Sequence, residues 1–181
     1  MESFRTGNGA AWLDLMSTLS GRYHGEQVDA IATPARLRAW LRTNDLEPRS
    51  AVTLEDVVYA AELRESLHRL AVTAIRGDAP VASDVRRLNA ALEHDRGLQV
   101  SRVSDGIRPG RPASVGDALA RLARQAVVDL SGQGHGTLRA CGDDTCAGIF
   151  LDTTGRRRWC ADLSCGNRMR VRAHRDRAGS A

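Results

Sequence analysis

The residues of this 181-residue chain whose type and spacing could do chemistry are four cysteines near its C-terminal end. Cys141 and Cys146 form a Cys-x4-Cys pair, thirteen residues follow, and Cys160 and Cys165 form a second pair of the same spacing. Thiolates are soft ligands, and two close pairs joined by a short loop bring four of them to one point, as a tetrahedral zinc site requires. Four protein ligands leave no position for water, and no His-x-Glu pattern of the zinc deaminases accompanies them, so the expected ion is one structural Zn2+. A thioredoxin-like redox centre needs Cys-x2-Cys, which is absent. Disulfides are the competing use of four cysteines, with three connectivities, and would need an oxidising compartment. The chain starts Met1-Glu2-Ser3-Phe4-Arg5-Thr6 with no apolar run, and no stretch approaches about 18 apolar residues. The expectation is a protein of the thiol-reducing cytoplasm, neither secreted nor membrane-spanning.

The elements around the cysteines must position them without much of a core. A segment of roughly 40 residues buries too little apolar surface to fold alone, and zinc contributes about 10–16 kcal/mol of apparent binding energy in small finger domains. Leu138-Arg139-Ala140 and Ile149-Phe150-Leu151 read as short strands flanking the first pair, with Trp159 as a further apolar contact. A helix is expected from about Asp162 to Arg177, placing the second pair at its start, where free backbone N–H groups offset tetrathiolate charge. Gly166 lets the backbone approach Cys165, Asn167 ties the turn, and Arg168 braces the tetrathiolate.

Charge is distributed to match. All 26 basic residues are Arg, and the net charge is +4. From Leu138 onward there are nine Arg against five Asp, so this segment carries the whole excess while residues 1–137 balance. Two modules are implied, 1–131 and 132–181, with Gly132-Gln133-Gly134-His135-Gly136 as a flexible linker. On the expected C-terminal helix Arg168, Arg172 and Arg175 share one face, and Arg170 and Arg177 the opposite one. Arg172 and Arg175, with Arg156, Arg157 and Arg158 on the preceding loop, are the candidate nucleic-acid contacts. A solvated face is the alternative.

The first 131 residues read as helices. Trp12, Leu15, Met16 and Leu19 recur at helical spacing before Gly21; Thr33 caps and Pro34 opens a helix burying Leu37, Trp40 and Leu41. Thr53 with Asp56 starts a longer helix burying Ala60, Leu63, Leu67, Leu70 and Ala74, which Gly77 stops. Ser83 precedes Val85, Leu88 and Leu92. A short strand covers Leu98–Val103, Arg102–Pro112 reads as a solvated connector, and Ser114 starts a last helix carrying Val115, Leu119, Leu122, Ala126 and Leu130. The fold class is mainly α, a helical bundle plus a small four-cysteine zinc finger. His24, His68 and His94 read as surface or satisfied histidines, and Trp12 and Trp40 as core. No nucleophile–base pair, GxxxxGK[ST] or GxGxxG pattern occurs, so catalytic residues are none and no enzyme is expected.

The finger segment carries a resemblance. Cys141-Gly-Asp-Asp-Thr-Cys146, Phe150-Leu-Asp152, Arg157-Arg158-Trp159-Cys160, Cys165-Gly-Asn-Arg168 and His174-Arg175-Asp176-Arg177 resemble the CGNR zinc-finger family of bacterial proteins. Upstream, Gly7, Leu13-Asp14-Leu15-Met16-Ser17-Thr18-Leu19, Thr33-Pro34, Leu37-Arg38-Ala39-Trp40-Leu41, Leu63-Arg64-Glu65 and Leu88-Asn89 look like the ABATE domain that usually precedes this finger. The resemblance implies a helical N-terminal domain, a zinc ribbon or treble-clef-like finger, and a stress-induced transcription regulator. DNA is then the expected partner, with the helical domain for homodimerisation or for sensing a small-molecule effector. The second reading is a zinc-stabilised adaptor for protein or RNA, in which the arginines only solvate the surface.

Overall fold

Local capping signals set the helices of the first 131 residues. A computed structural model describes residues 4–23 and 25–179; His24 lies outside them. Helix α2 (Pro34–Thr43) opens on Pro34, and its N-cap Thr33 accepts from the Arg36 N–H. Helix α3 (Leu54–Arg76) starts with a reciprocal Thr53/Asp56 capping box and stops at Gly77, whose φ of 74° is left-handed. Helix α5 (Val115–Leu130) is capped by Ser114 on the Asp117 N–H. Helix α4 (Ala82–Leu92) begins after Val81, with Ser83 in its first turn.

Three sequence expectations shift. Helix α1 (Ala11–Met16) ends before Leu19, which instead pairs with Asp29 across a two-residue ladder of β1 (Leu19–Ser20) and β2 (Val28–Asp29). The Thr18 hydroxyl bonds back to the Leu15 carbonyl and the Thr18 carbonyl accepts from Ala30, so the chain leaves the helix there. The connector after Arg102 is not irregular: β3 (Val100–Val103) and β4 (Gly106–Pro109) form an exposed antiparallel hairpin. Ala74 is exposed on α3.

The α1, α3, α4 and α5 helices pack on one another around Trp12, Leu15, Leu63, Leu67, Leu119 and Leu122, all fully buried. Trp40 joins the same core from α2, and the Trp12 indole donates to Asp129 at 2.7 Å. Arg64, buried in α3, pairs with both oxygens of Asp29 at 2.8 and 2.7 Å and donates to the Thr18 hydroxyl at 2.9 Å. Arg22 binds Glu65 beside it. These pairs pin the β1–β2 turn to α3, which accounts for Arg64 and Glu65 in structural terms. Among the described residues no helix is long and apolar enough to cross a membrane.

His68 departs from its expectation. It is buried on α3, its ring packs edge-on to Tyr23, the backbone of Ala147 is its hydrogen-bond partner, and Nε2 has none among the described residues. Burial, with the nearby Arg22 charge, pushes its imidazole down to about 4.

Candidate metal centre

The C-terminal segment begins with β5 (Thr137–Ala140) and β6 (Ile149–Asp152), paired antiparallel where strands were expected. Cys141 and Cys146 lie on the turn between them. A five-residue π turn, Asp162–Gly166, carries Cys165 and runs into α6 (Asn167–Gly179). The helix expected from Asp162 is thus present, with a wider first turn that draws Cys165 inward, its N–H bonded to the Ala161 carbonyl.

All four cysteines are free, and their Sγ atoms lie within 4.8 Å of one another. The Cys146–Cys160 and Cys160–Cys165 sulfurs are each 3.6 Å apart. Four sulfurs at about 2.3 Å from one zinc ion stand about 3.8 Å apart at tetrahedral corners, so the spacing fits the metal. Cys141, Cys160 and Cys165 are buried and Cys146 is half-buried. Hydrogen bonds from the Cys146 and Cys160 thiols lower the Cys141 thiol, and the same contacts raise Cys146 to about 11 and Cys160 further. So crowded a set cannot hold four charges by itself. Zinc supplies the divalent charge that lets all four ionise and ties the two pairs together. The chain carries one structural zinc ion on Cys141, Cys146, Cys160 and Cys165.

The surroundings are shaped to the sulfurs. Gly148 donates its N–H to Cys146 Sγ at 3.3 Å, and a Cβ there would stand 2.6 Å from Cys160 Sγ, so only glycine fits. At Gly166 a Cβ would meet Asp162 at 2.4 Å and the Trp159 ring at 2.9 Å, so the close approach there is to these two side chains. Asn167 ties the turn by donating to the Leu163 carbonyl at 2.8 Å. Arg168 braces the centre, with one nitrogen 3.3 Å from Cys165 Sγ and two on Asp143 Oδ2 at 2.9 and 2.6 Å. Asp143 is fully buried; burial opposes its ionisation, but hydrogen bonds from Thr145 and Arg168 outweigh that and hold its carboxyl below the ordinary range.

Two contributors were not legible in the sequence. The Arg5 guanidinium, from the other end of the chain, reaches Cys160 Sγ at 3.7 Å and Cys165 Sγ at 3.9 Å. Asp143 sat in the quoted motif without an assigned role, and an acid two residues after a ligand cysteine was its only signal.

The linker does not hold the finger away from the helices. Ile149 and Leu151 belong to the apolar cluster of the helical domain and Leu138 packs on it, whereas Phe150 lies among Cys141, Cys160 and Cys165. Strand β6 therefore serves two cores, one on each face. Residues 4–9 cross it: the Leu151 N–H donates to the Asn8 carbonyl at 2.8 Å, and the Gly7 and Asn8 N–H groups donate to Asp14 of α1 at 3.2 and 2.9 Å.

The five arginines proposed for nucleic acid fall into different settings. Arg157 donates to the carbonyls of Gly7, Trp159 and Cys160 and stacks over Phe150, its guanidinium carbon 4.5 Å from the ring centroid. Arg172 pairs with Asp144 at 2.5 Å, an exposed contact, and Arg158 lies over the Trp159 ring. Among the described residues Arg156, Arg158, Arg175 and also Arg177 have no ion-pair or hydrogen-bond partner for their guanidinium groups, whereas Arg170 is held by Asp162.

Comparison with known families agrees with this architecture. The zinc-finger model described as "CGNR zinc finger" matches residues 137–178. No curated protein matches the chain. The model described as "Putative stress-induced transcription regulator", ABATE, matches residues 9–134, the stretch that holds α1 to α5 and ends just before β5. With Arg64 and Glu65 holding the β1–β2 turn and a four-cysteine centre behind it, the chain belongs to the ABATE family and carries a C-terminal CGNR zinc finger.

Proposed function

We propose that the protein is a bacterial transcription regulator that binds duplex DNA through the basic surface of its finger, acting in the cytoplasm by binding and not by catalysis. The observation that carries this reading is α6. Apart from half-buried Met169 its described side chains are exposed along its length, and five of them are arginines. A helix polar all round gains little from burial within its own chain, and a phosphate backbone supplies the missing counter-surface. Arg156, Arg158, Arg175 and Arg177, whose guanidinium groups have no ion-pair or hydrogen-bond partner among the described residues, can meet phosphates. Arg172 can join them, because an exposed ion pair such as that with Asp144 contributes only about 0–1 kcal/mol. Arg157 serves the fold.

In the same reading the finger is treble-clef-like, a knuckle and hairpin followed by a helix that starts at the last ligand, and residues 1–131 form a bundle that dimerises or senses an effector. A cleft of about 370 Å³ between α3, α4 and α5, lined by Leu70, Ala74, Val85, Leu88, Val127 and Leu130, would hold an apolar effector. The exposed Ala74 lines it.

Titration of a labelled duplex of mixed sequence against the zinc-loaded protein at several salt concentrations tests the DNA reading. Log K should fall steeply with log salt, and each change of a contacting arginine to alanine should flatten the slope by about 0.9. Leu163 on the π turn, at 87% exposure, and Val171 on α6, at 49%, lie four residues before and after Asn167, and these apolar side chains favour the adaptor reading. Absence of duplex binding at low salt would select that reading instead.

A further inference from the structure

Only two guanidinium groups touch the cysteine sulfurs among the described residues, and they come from opposite ends of the chain: Arg168, three residues after Cys165, and Arg5. A zinc tetrathiolate carries two net negative charges in a largely buried place, so each cation against it replaces lost solvation. Arg5 does so for Cys160 and Cys165, the pair on the loop and π turn, which lack the hairpin that holds the first pair.

Arg5 also stands at one end of a strap. Behind it Gly7 accepts from Arg157 at 3.0 Å, Asn8 accepts from Leu151, and a Cβ at Gly9 would come within 2.7 Å of the Leu151 side chain. Ahead of it the Phe4 ring lies under the Arg36 guanidinium of α2 at 4.6 Å. Residues 4–9 thus touch α1, α2, β6 and the sulfurs.

We propose that Arg5 is a positioning residue of the metal centre, held in place by the assembled thiolate charge, so that zinc binding and closure of the strap over the finger are one coupled event. A zinc ion gathers four thiolate sulfurs, and with them two net negative charges, at the point that the Arg5 guanidinium reaches. Zinc therefore latches the strap, and the strap in turn slows zinc loss. This inference is independent of whether the finger binds DNA.

The test uses the full-length, zinc-loaded chain and its Arg5→Gln and Arg5→Lys variants. Zinc release to a chromogenic chelator and amide hydrogen exchange over residues 4–9 and Leu151 are the readouts. Arg5→Gln should release zinc about tenfold faster, Arg5→Lys should restore much of the difference, and stripping zinc from the unaltered chain should raise strap exchange. Zinc release from Arg5→Gln at the unaltered rate would overturn the proposal. So would strap protection that is the same with and without zinc in the unaltered chain, a comparison that needs no variant to fold.

Discussion

Phe150 and Leu151, neighbours on β6, face opposite ways: Phe150 is fully buried among the zinc-ligand cysteines, and Leu151 lies in the apolar core of the helical domain, hydrogen-bonded to Asn8. Strand pleating makes this possible, because consecutive side chains point to opposite faces. One residue step therefore separates the metal centre from the helices.

Truncating each should give a different failure. Leu151→Ala removes buried carbon from the helical core and should cost about 2–5 kcal/mol in chemical denaturation followed by helical circular dichroism, with zinc still bound stoichiometrically. Phe150→Ala removes the apolar wall of the metal site and the platform under Arg157, and should show first as faster zinc loss. Equal effects of both changes on zinc release would argue against two cores sharing the strand.

The glycine at the knuckle should be irreplaceable. Gly148→Ala pushes a methyl group into the Cys160 sulfur and disrupts the Cys146 contact, so substoichiometric zinc by elemental analysis is expected. Gly155→Ala is the comparison, with open space around it but a φ of 72°, and should keep its metal at a modest cost in stability.

The arginine triplet should divide. Arg158→Ala and Arg156→Ala are expected to lower duplex affinity and flatten its salt dependence while leaving the thermal midpoint nearly unchanged. Arg157→Ala should do the reverse, lowering the midpoint because the Gly7, Trp159 and Cys160 carbonyls lose their donor. Thermal melts beside binding titrations distinguish the two patterns.

Acid should destabilise the fold through His68. Its folded value, pushed down to about 4, lies below the ordinary value near 6.5 that applies when the chain unfolds. As pH falls from 6.5 towards 4 the unfolded chain takes up a proton that the folded chain refuses, so stability is lost across that window and the loss levels off below it. The loss approaches about 3 kcal/mol for this one group. Urea denaturation at both ends of the window should show a smaller drop for His68→Gln than for the unaltered chain, and parallel drops would remove His68 as a source.

What could be read along the sequence was what is set by residues a few positions apart. Ligand pairs at Cys-x4-Cys, the Thr33, Thr53/Asp56 and Ser114 caps, the Gly77 stop and the Asn167 tie are local geometry, closed by the chain itself. Periodicity located the buried faces of α2, α3 and α5, but it ran α1 on to Leu19, because the Thr18 hydroxyl and the β1–β2 ladder that end the helix involve residues up to Ala30. The hairpin after Val100 was half seen, since its partner strand is rich in Gly, Pro and Arg and poor in strand formers. Tertiary structure alone decided that Arg5 lies against Cys160 and Cys165, that Arg64 meets Asp29, that His68 is buried against Ala147, and that Arg157 turns from solvent to three carbonyls. Each joins groups whose meeting depends on how the helices, strap and finger pack. A guanidinium or imidazole in a sequence carries no mark of the partner that packing will bring to it.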